Sequence, residues 1–134
     1  MIVMKLKVRD LMEENVVTTK EEITIEDAIK ILFDKHIGSL VITDKKRKCK
    51  GIFTERDALR SVAKKVPLTT LLTKVMSTNV ITIMEDASYA EAKKLMSLHN
   101  IRHLPVIDKK GCLVGIVTLR RILDELIGIP TFKS

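Results

Sequence analysis

The sequence predicts an α+β fold made of two β-α-β-β-α repeats packed about a pseudo-twofold axis. Three observations predict it. The chain matches itself at an offset of 64 residues, where Met12, Asn15, Val16 and Thr18 fall on Met76, Asn79, Val80 and Thr82. The match continues without a gap, so that Gly51-Ile52, Thr54, Arg56 and Leu59 fall on Gly115-Ile116, Thr118, Arg120 and Leu123. Apolar patterning alternates between strand and helix periods in the same order in both copies. Cap-type residues recur at matching positions as well. A unit of about fifty residues that recurs in this way cannot close its own core, and packing against its twin completes it. The expected boundaries are 7–64 for the first repeat, 65–71 for a linker, 72–127 for the second repeat and 128–134 for a tail.

Each element has a local reason. Met1 to Val8 interleaves Ile, Met, Leu and Val with lysines and reads as an edge strand or arm. Val16 to Thr19 is a short β-branched strand. Thr24 with Asp27 marks an N-cap followed by an acid in the first turn, and Ile25, Ala28, Ile31 and Leu32 give the helix to about Lys35 one apolar face. Ser88 and Glu91 form a capping-box pattern ahead of Tyr89, Ala92, Leu95 and Met96. Strands follow at Ser39 to Thr43 and His103 to Ile107, with polar tips at Asp44 to Lys50 and Asp108 to Gly111. Return strands begin at Gly51 and Leu113, and closing helices run from Glu55 to about Lys64 and from Leu119 to about Ile127. Pro67 ends the first closing helix.

Composition narrows the function. A chain of 134 residues with 46% hydrophobic and 31% charged content has enough apolar material for a core. No apolar run approaches the ~18 residues of a membrane span, and no secretory leader is evident, so a cytoplasmic protein is expected. Cys49 and Cys112 lack metal spacing; two thiols are favoured, with a disulfide left open. No metal site is expected. The net charge of +7 invites anionic partners. The run Lys45-Lys46-Arg47-Lys48 at a hairpin tip admits a nucleic-acid contact as the alternative function, although one Tyr, three Phe and no Trp leave few stacking platforms. No nucleophile elbow, phosphate loop or metal motif is present, so catalysis by this chain is not expected.

The segment Gly51-Ile52-Phe53-Thr54-Glu55-Arg56-Asp57 is the sharpest local feature. It lies where a strand enters a helix, a place suited to a phosphorylated ligand. Glycine permits close backbone approach, Thr54 caps the helix and offers a hydroxyl, and the helix N-terminus attracts negative charge. Asp57 projects from the same end and can accept two hydrogen bonds, as from a sugar diol. The simpler reading is that Thr54 and Asp57 only cap the helix. His36 and His99 read as helix-end residues, and Met76, Met84 and Met96 as core filler.

The doubled unit, the stretch Ile101-Arg102-His103-Leu104-Pro105-Val106-Ile107-Asp108 and the segment Gly51 to Asp57 together resemble a tandem pair of cystathionine-β-synthase (CBS) domains, a Bateman module. The resemblance implies a regulatory protein that binds an adenosyl ligand such as AMP, ADP, ATP or S-adenosylmethionine in the cleft between the repeats, with no other cofactor. It places Asp57 at the ribose hydroxyls, Thr54 and Ser39 near phosphate and Ile52 on the adenine. It draws Thr82, Ile101, Arg102 and His103 from the opposite repeat. Arg121 stands where the second repeat should carry the acid, so a second site around Thr18, Thr118 and Arg121 is expected to be altered or empty. The resemblance further implies a homodimer formed through the closing helices and an output delivered to a separate partner.

Overall fold

The computed structural model describes residues 6–128, so Met1 to Lys5 of the expected arm and all of the expected tail beyond Gly128 lie outside the described residues. The elements are α1 (Val8–Leu11), β1 (Thr18–Thr19), α2 (Ile25–Lys35), β2 (Ser39–Thr43), β3 (Cys49–Thr54) and α3 (Glu55–Ala63). A 3-10 turn at Leu72–Lys74 precedes β4 (Ile83–Met84), α4 (Tyr89–His99), β5 (His103–Ile107), β6 (Leu113–Thr118) and α5 (Leu119–Ile127). The class is α+β, with a mixed three-stranded sheet in each of two repeats, in the orders β1-β2-β3 and β4-β5-β6. In each sheet the first strand runs parallel to the second and the second antiparallel to the third.

The chain divides into two compact units. One is continuous, Val17–Val80; the other is split, joining the residues up to Val16 to those from Ile81 onward. Backbone hydrogen bonds explain the division. In the split unit Glu13 N–H donates to Ile116 O at 2.8 Å and Ile116 N–H returns to Glu13 O at 3.0 Å. In the continuous unit Ile52 N–H donates to Ser77 O at 3.0 Å and Ser77 N–H returns to Ile52 O at 3.1 Å. The segment that opens each repeat therefore pairs with the last strand of the other repeat. Neither α1 nor the 3-10 turn shows in the sequence, because four and three residues are too few to make a period. Their only trace was Val8, Leu11 and Leu72, all buried. Of the expected N-terminal strand, Lys7 keeps a single bridge to Ser88.

Helix ends follow local chemistry. Thr24 caps α2 by accepting from Asp27 N–H, and the Asp27 carboxylate accepts from Thr24 N–H at 3.3 Å. Ser88 caps α4 by accepting from Glu91 N–H at 3.1 Å, but the return bond of the expected capping box is absent: Glu91 is exposed and its carboxylate stays in water. The expected strand Val16 to Thr19 contracts to Thr18–Thr19. β4 begins one position later than β1 in the repeat frame. Thr18 pairs with Val41, whose N–H donates to Val17 O at 3.4 Å, whereas the matching partner is Pro105, which has no N–H to give.

Contrary to the expectation that neither repeat closes a core without its twin, each unit has its own core. Ile25, Ala28, Leu32, Leu40, Ile42, Phe53 and Leu72 close the continuous unit. Val8, Leu11, Ile83, Ala92, Met96, Leu104, Val106, Val117 and Ile122 close the split one. Full burial of a Leu, Ile or Phe side chain contributes about 1.5–3 kcal/mol. Among the described residues no helix is long and apolar enough to cross a membrane. Cys49 and Cys112 are half-buried thiols, and burial pushes the Cys49 thiol up.

Candidate functional site

Strand alternation sorts the candidate residues onto one face. In β2, Leu40 and Ile42 point to the helix-facing core, so Ser39 and Val41 point the other way. The register carries that alternation across the sheet: Ser39 lies opposite Thr54, Val41 opposite Ile52, and Thr18 opposite Val41. Thr18, Ser39, Ile52 and Thr54 thus share the face of the continuous unit that is turned from its helices. Ser39 is 8% exposed and is one of only two buried polar residues among the described residues.

Thr54 ends β3 and caps α3, and Asp57 completes the cap. Thr54 Oγ1 accepts from Asp57 N–H at 3.3 Å, while Thr54 N–H donates to Asp57 Oδ2 at 2.9 Å. The Thr54 hydroxyl also donates to Asp57 Oδ2 at 3.1 Å. Asp57 Oδ1 accepts from Arg60 Nη1 at 2.8 Å. The Asp57 side chain is 12% exposed and that of Arg60 50%, so the acid is tucked against the helix start and not turned to bulk water. Capping is therefore a real role of this pair, and any ligand must share the carboxylate with it.

Gly51 behaves differently from expectation. A Cβ built there would stand 2.6 Å from Met76 Sδ, and one at Gly115 would stand 2.7 Å from Met12 Sδ. Each glycine of the repeated Gly-Ile pair makes room for the methionine of the segment that opens the other repeat. The paired recurrence of Met12 and Met76 in the sequence was the available signal.

The split unit holds the remaining candidates. His103 lies opposite Thr118 across β5 and β6, the positions matching Ser39 and Thr54. Burial, followed by the neighbouring Arg102 charge, pushes the His103 imidazole down, and its Nδ1 is buried with no hydrogen-bond partner. Arg102 is exposed, and its carbonyl accepts from Leu119 N–H at 2.9 Å. Ile101 is packed against the core of this unit. Thr82 is half-buried ahead of β4. Thr118 caps α5 by accepting from Arg121 N–H at 3.2 Å. Arg121 has no acceptor with which to return the cap bond, and Nη1 donates along the helix to Glu125 Oε2 at 2.8 Å. The structure thus gathers Thr18, Ser39, Ile52, Thr54 and Asp57 on the continuous unit. It gathers His103, Thr118 and Arg121 at one end of the split unit.

Away from these faces, Asp44 Oδ1 accepts from Lys46 N–H at 2.8 Å and Lys48 N–H at 3.0 Å, which folds the basic tip. Those bonds, the one to Lys48 first, hold the Asp44 carboxyl below the usual range. Asp108 repeats the motif with Lys110 and Cys112. Lys45, Lys46 and Arg47 are exposed. Among the described residues, no group of three or more His, Cys, Asp or Glu could hold a metal ion.

Comparison with known proteins agrees with this architecture. The CBS domain family matches residues 8–64 and again 72–128. The CBS domain pair of protein MJ0100, solved in complex with 5′-methylthioadenosine and S-adenosyl-L-methionine, is 32% identical with a TM-score of 0.85, covering 92% of this chain and 97% of that one. The CBS domain protein PAE2072 from Pyrobaculum aerophilum, complexed with AMP, is 28% identical with a TM-score of 0.83, covering 92% and 99%. A CBS domain-containing protein of Dictyostelium discoideum is 35% identical, with 94% of each chain covered. The chain spans 24% of a homoserine O-acetyltransferase from Methanosalsum zhilinae, at 37% identity. With both repeats matched in sequence and the whole architecture reproduced, this chain belongs to the CBS domain family as a tandem pair.

Proposed function

We propose that the chain is a regulatory sensor that binds an adenosine-containing ligand, AMP, ADP, ATP or S-adenosylmethionine, through the face carrying Ser39, Ile52, Thr54 and Asp57. The observation that supports this reading is that Asp57 sits at a strand-to-helix junction, hydrogen-bonded to Thr54, which lies on the sheet face turned from the helices. A carboxylate there can take a ribose diol, and Thr54 and Ser39 supply hydroxyls beside it. Two relatives of the same architecture were solved with AMP and with S-adenosyl-L-methionine, which supports the ligand class. Thr82, Arg102 and His103 are assigned to the same ligand, with Arg102 as the phosphate partner; Ile101, packed on its own core, is the weakest member of the set. Arg121 cannot accept from a diol, so one adenosyl site per chain is expected.

Signalling would then be a population shift, in which ligand favours one state and a partner reads it. A homodimer is part of the proposal. Leu59 and Val62 on α3 are 73% and 61% exposed, and the matching Leu123 and Leu126 on α5 are 46% and 36% exposed. Apolar side chains at matching places on both closing helices suit a self-association face. Sedimentation of Leu59→Lys and Leu123→Lys variants tests it, with a monomer expected.

A thermal-shift screen across AMP, ADP, ATP, S-adenosylmethionine and short nucleic acids tests the ligand class, because a ligand that binds only the folded state raises Tm. A rise with an adenosyl compound is expected. A rise with nucleic acid alone would move the function to the basic tip at Lys45 to Lys48.

A further inference from the structure

The Asp57 carboxylate is already occupied. An ionised carboxylate offers about four acceptor positions, two on each oxygen. On Oδ2 both are taken, by Thr54 N–H at 2.9 Å and by the Thr54 hydroxyl at 3.1 Å. On Oδ1 one is taken by Arg60 Nη1 at 2.8 Å. A ribose diol donates two hydrogen bonds and therefore needs one more position than remains. One of the three existing bonds must open when a diol binds.

The three are not equally ready to yield. The Thr54 N–H bond is part of the helix cap, and losing it leaves a backbone donor unpaired at the start of α3. The Thr54 hydroxyl can rotate its proton, but its oxygen stays in the cap facing Asp57 N–H at 3.3 Å, which keeps the Asp57 carboxylate at hand as its acceptor. Arg60 is one turn on, its side chain is 50% exposed, and a long flexible stem lets its guanidinium exchange the carboxylate for water. The second repeat gives the contrast. At the matching positions it carries Arg121 and Asp124, the two charges interchanged, and Arg121 pairs with Glu125 instead.

We infer that Arg60 is a latch on the ribose-binding carboxylate, closed over Asp57 Oδ1 without ligand and displaced by the diol. This rests on the adenosyl reading above and adds a regulating residue to it. Arg60 sets affinity for the ribose without recognising the base. Because the latch is a half-exposed ion pair, salt weakens it, so a neutral nucleoside binds better as ionic strength rises.

Calorimetric titration with adenosine, which carries no charge, tests the latch on the wild-type protein and on Arg60→Ala and Arg60→Gln. Both variants are expected to bind adenosine about twofold to fivefold more tightly, the scale of an exposed ion pair. 2′,3′-Dideoxyadenosine, which lacks the diol, should show no such gain. Wild-type affinity for adenosine should rise from low to high salt, and that slope should vanish in both variants. Unchanged or weaker adenosine binding in the variants, with the wild type binding normally, overturns the latch and leaves the adenosyl site standing. A gain shared by the dideoxy compound also overturns it. Failure of the wild type to bind either adenosine or AMP sinks the adenosyl reading itself, and the latch with it. Should one variant fold poorly in thermal melts, the other variant and the wild-type salt series carry the decision.

Discussion

The N-termini of α3 and α5 are two versions of one junction. Both follow a strand that ends in threonine, and in both the threonine hydroxyl accepts from the amide three residues on, at 3.3 Å and 3.2 Å. The difference lies in the side chain at that third residue. Asp57 folds back to accept from Thr54 N–H, closing the box and placing an anion at the positive end of the helix. Arg121 has only donors, leaves the box half made and reaches forward to Glu125. The two junctions share the backbone and the first cap bond and differ in whether the third residue can accept a hydrogen bond.

The same contrast extends into the cores and gives the largest expected effect. Phe53 and Val117 occupy matching positions, and both are fully buried. Phe53→Ala should cost about 3–5 kcal/mol, as large-to-small changes of buried aromatics do. Val117→Ala removes less volume and should cost clearly less in the same denaturant titration. Equal losses would break the picture of two cores filled unequally around one backbone.

Next in size is the effect on binding. Asp57→Asn keeps a side-chain acceptor for the cap but loses the charge, and should weaken adenosyl binding by about 1.5–3 kcal/mol, the scale for a hydrogen bond to a charged group. Arg121→Asn should leave that affinity unchanged, and wild-type stoichiometry should be one ligand per chain. Calorimetry reads all three quantities. Two equal sites would erase the distinction between the junctions.

The glycines sharpen the comparison through packing. At Gly51 the nearest atoms to an added Cβ all belong to the Met76 side chain, at 2.6 to 3.0 Å. At Gly115 they include Met12 Sδ at 2.7 Å and also the Glu13 carbonyl oxygen at 3.1 Å. A methionine can swing aside, but that carbonyl is fixed by its bond from Ile116 N–H. Both Gly→Ala changes should destabilise, by about 1–3 kcal/mol as overpacking does. Gly115→Ala should be the worse of the two in thermal melts.

Much of this was legible in the sequence, and what was not has a physical explanation. The strands and long helices could be read because periodicity, caps and an internal copy all agreed; Thr24, Thr54 and Ser88 cap where expected. The strand–partner exchange of the segments that open each repeat could not be read. Pairing between residues as distant as Glu13 and Ile116 leaves no local pattern, and α1 is a single turn. The glycine–methionine contact was written in the sequence as two recurring pairs, but recurrence alone does not say what touches what. At Asp57 the motif named the residue correctly as a junction acid. Only coordinates could add that Arg60 occupies one of its oxygens, since an i,i+3 pair reads from sequence as ordinary helix surface.

The smallest expected effect is on pH dependence, and it tests the strand ends that face the two junctions. The continuous unit has Ser39 there and the split unit has His103, both opposite a capping threonine. Burial and the Arg102 charge lower the His103 imidazole below its ordinary 6.5. The unfolded chain therefore binds more protons than the folded one between the ordinary value and the lowered one. Unfolding free energy should be fully retained above about pH 6.5 and should fall as the pH drops through that window, levelling off below the folded value. His103→Ser places the continuous unit's residue in the split unit and removes the titrating ring. It should lower stability above about pH 6.5 by leaving a gap, yet flatten the decline below that pH. A variant that loses stability on acidification as steeply as the wild type would show that His103 takes up its proton equally in the folded and unfolded chain, and that the two strand ends do not differ in the way their burial implies.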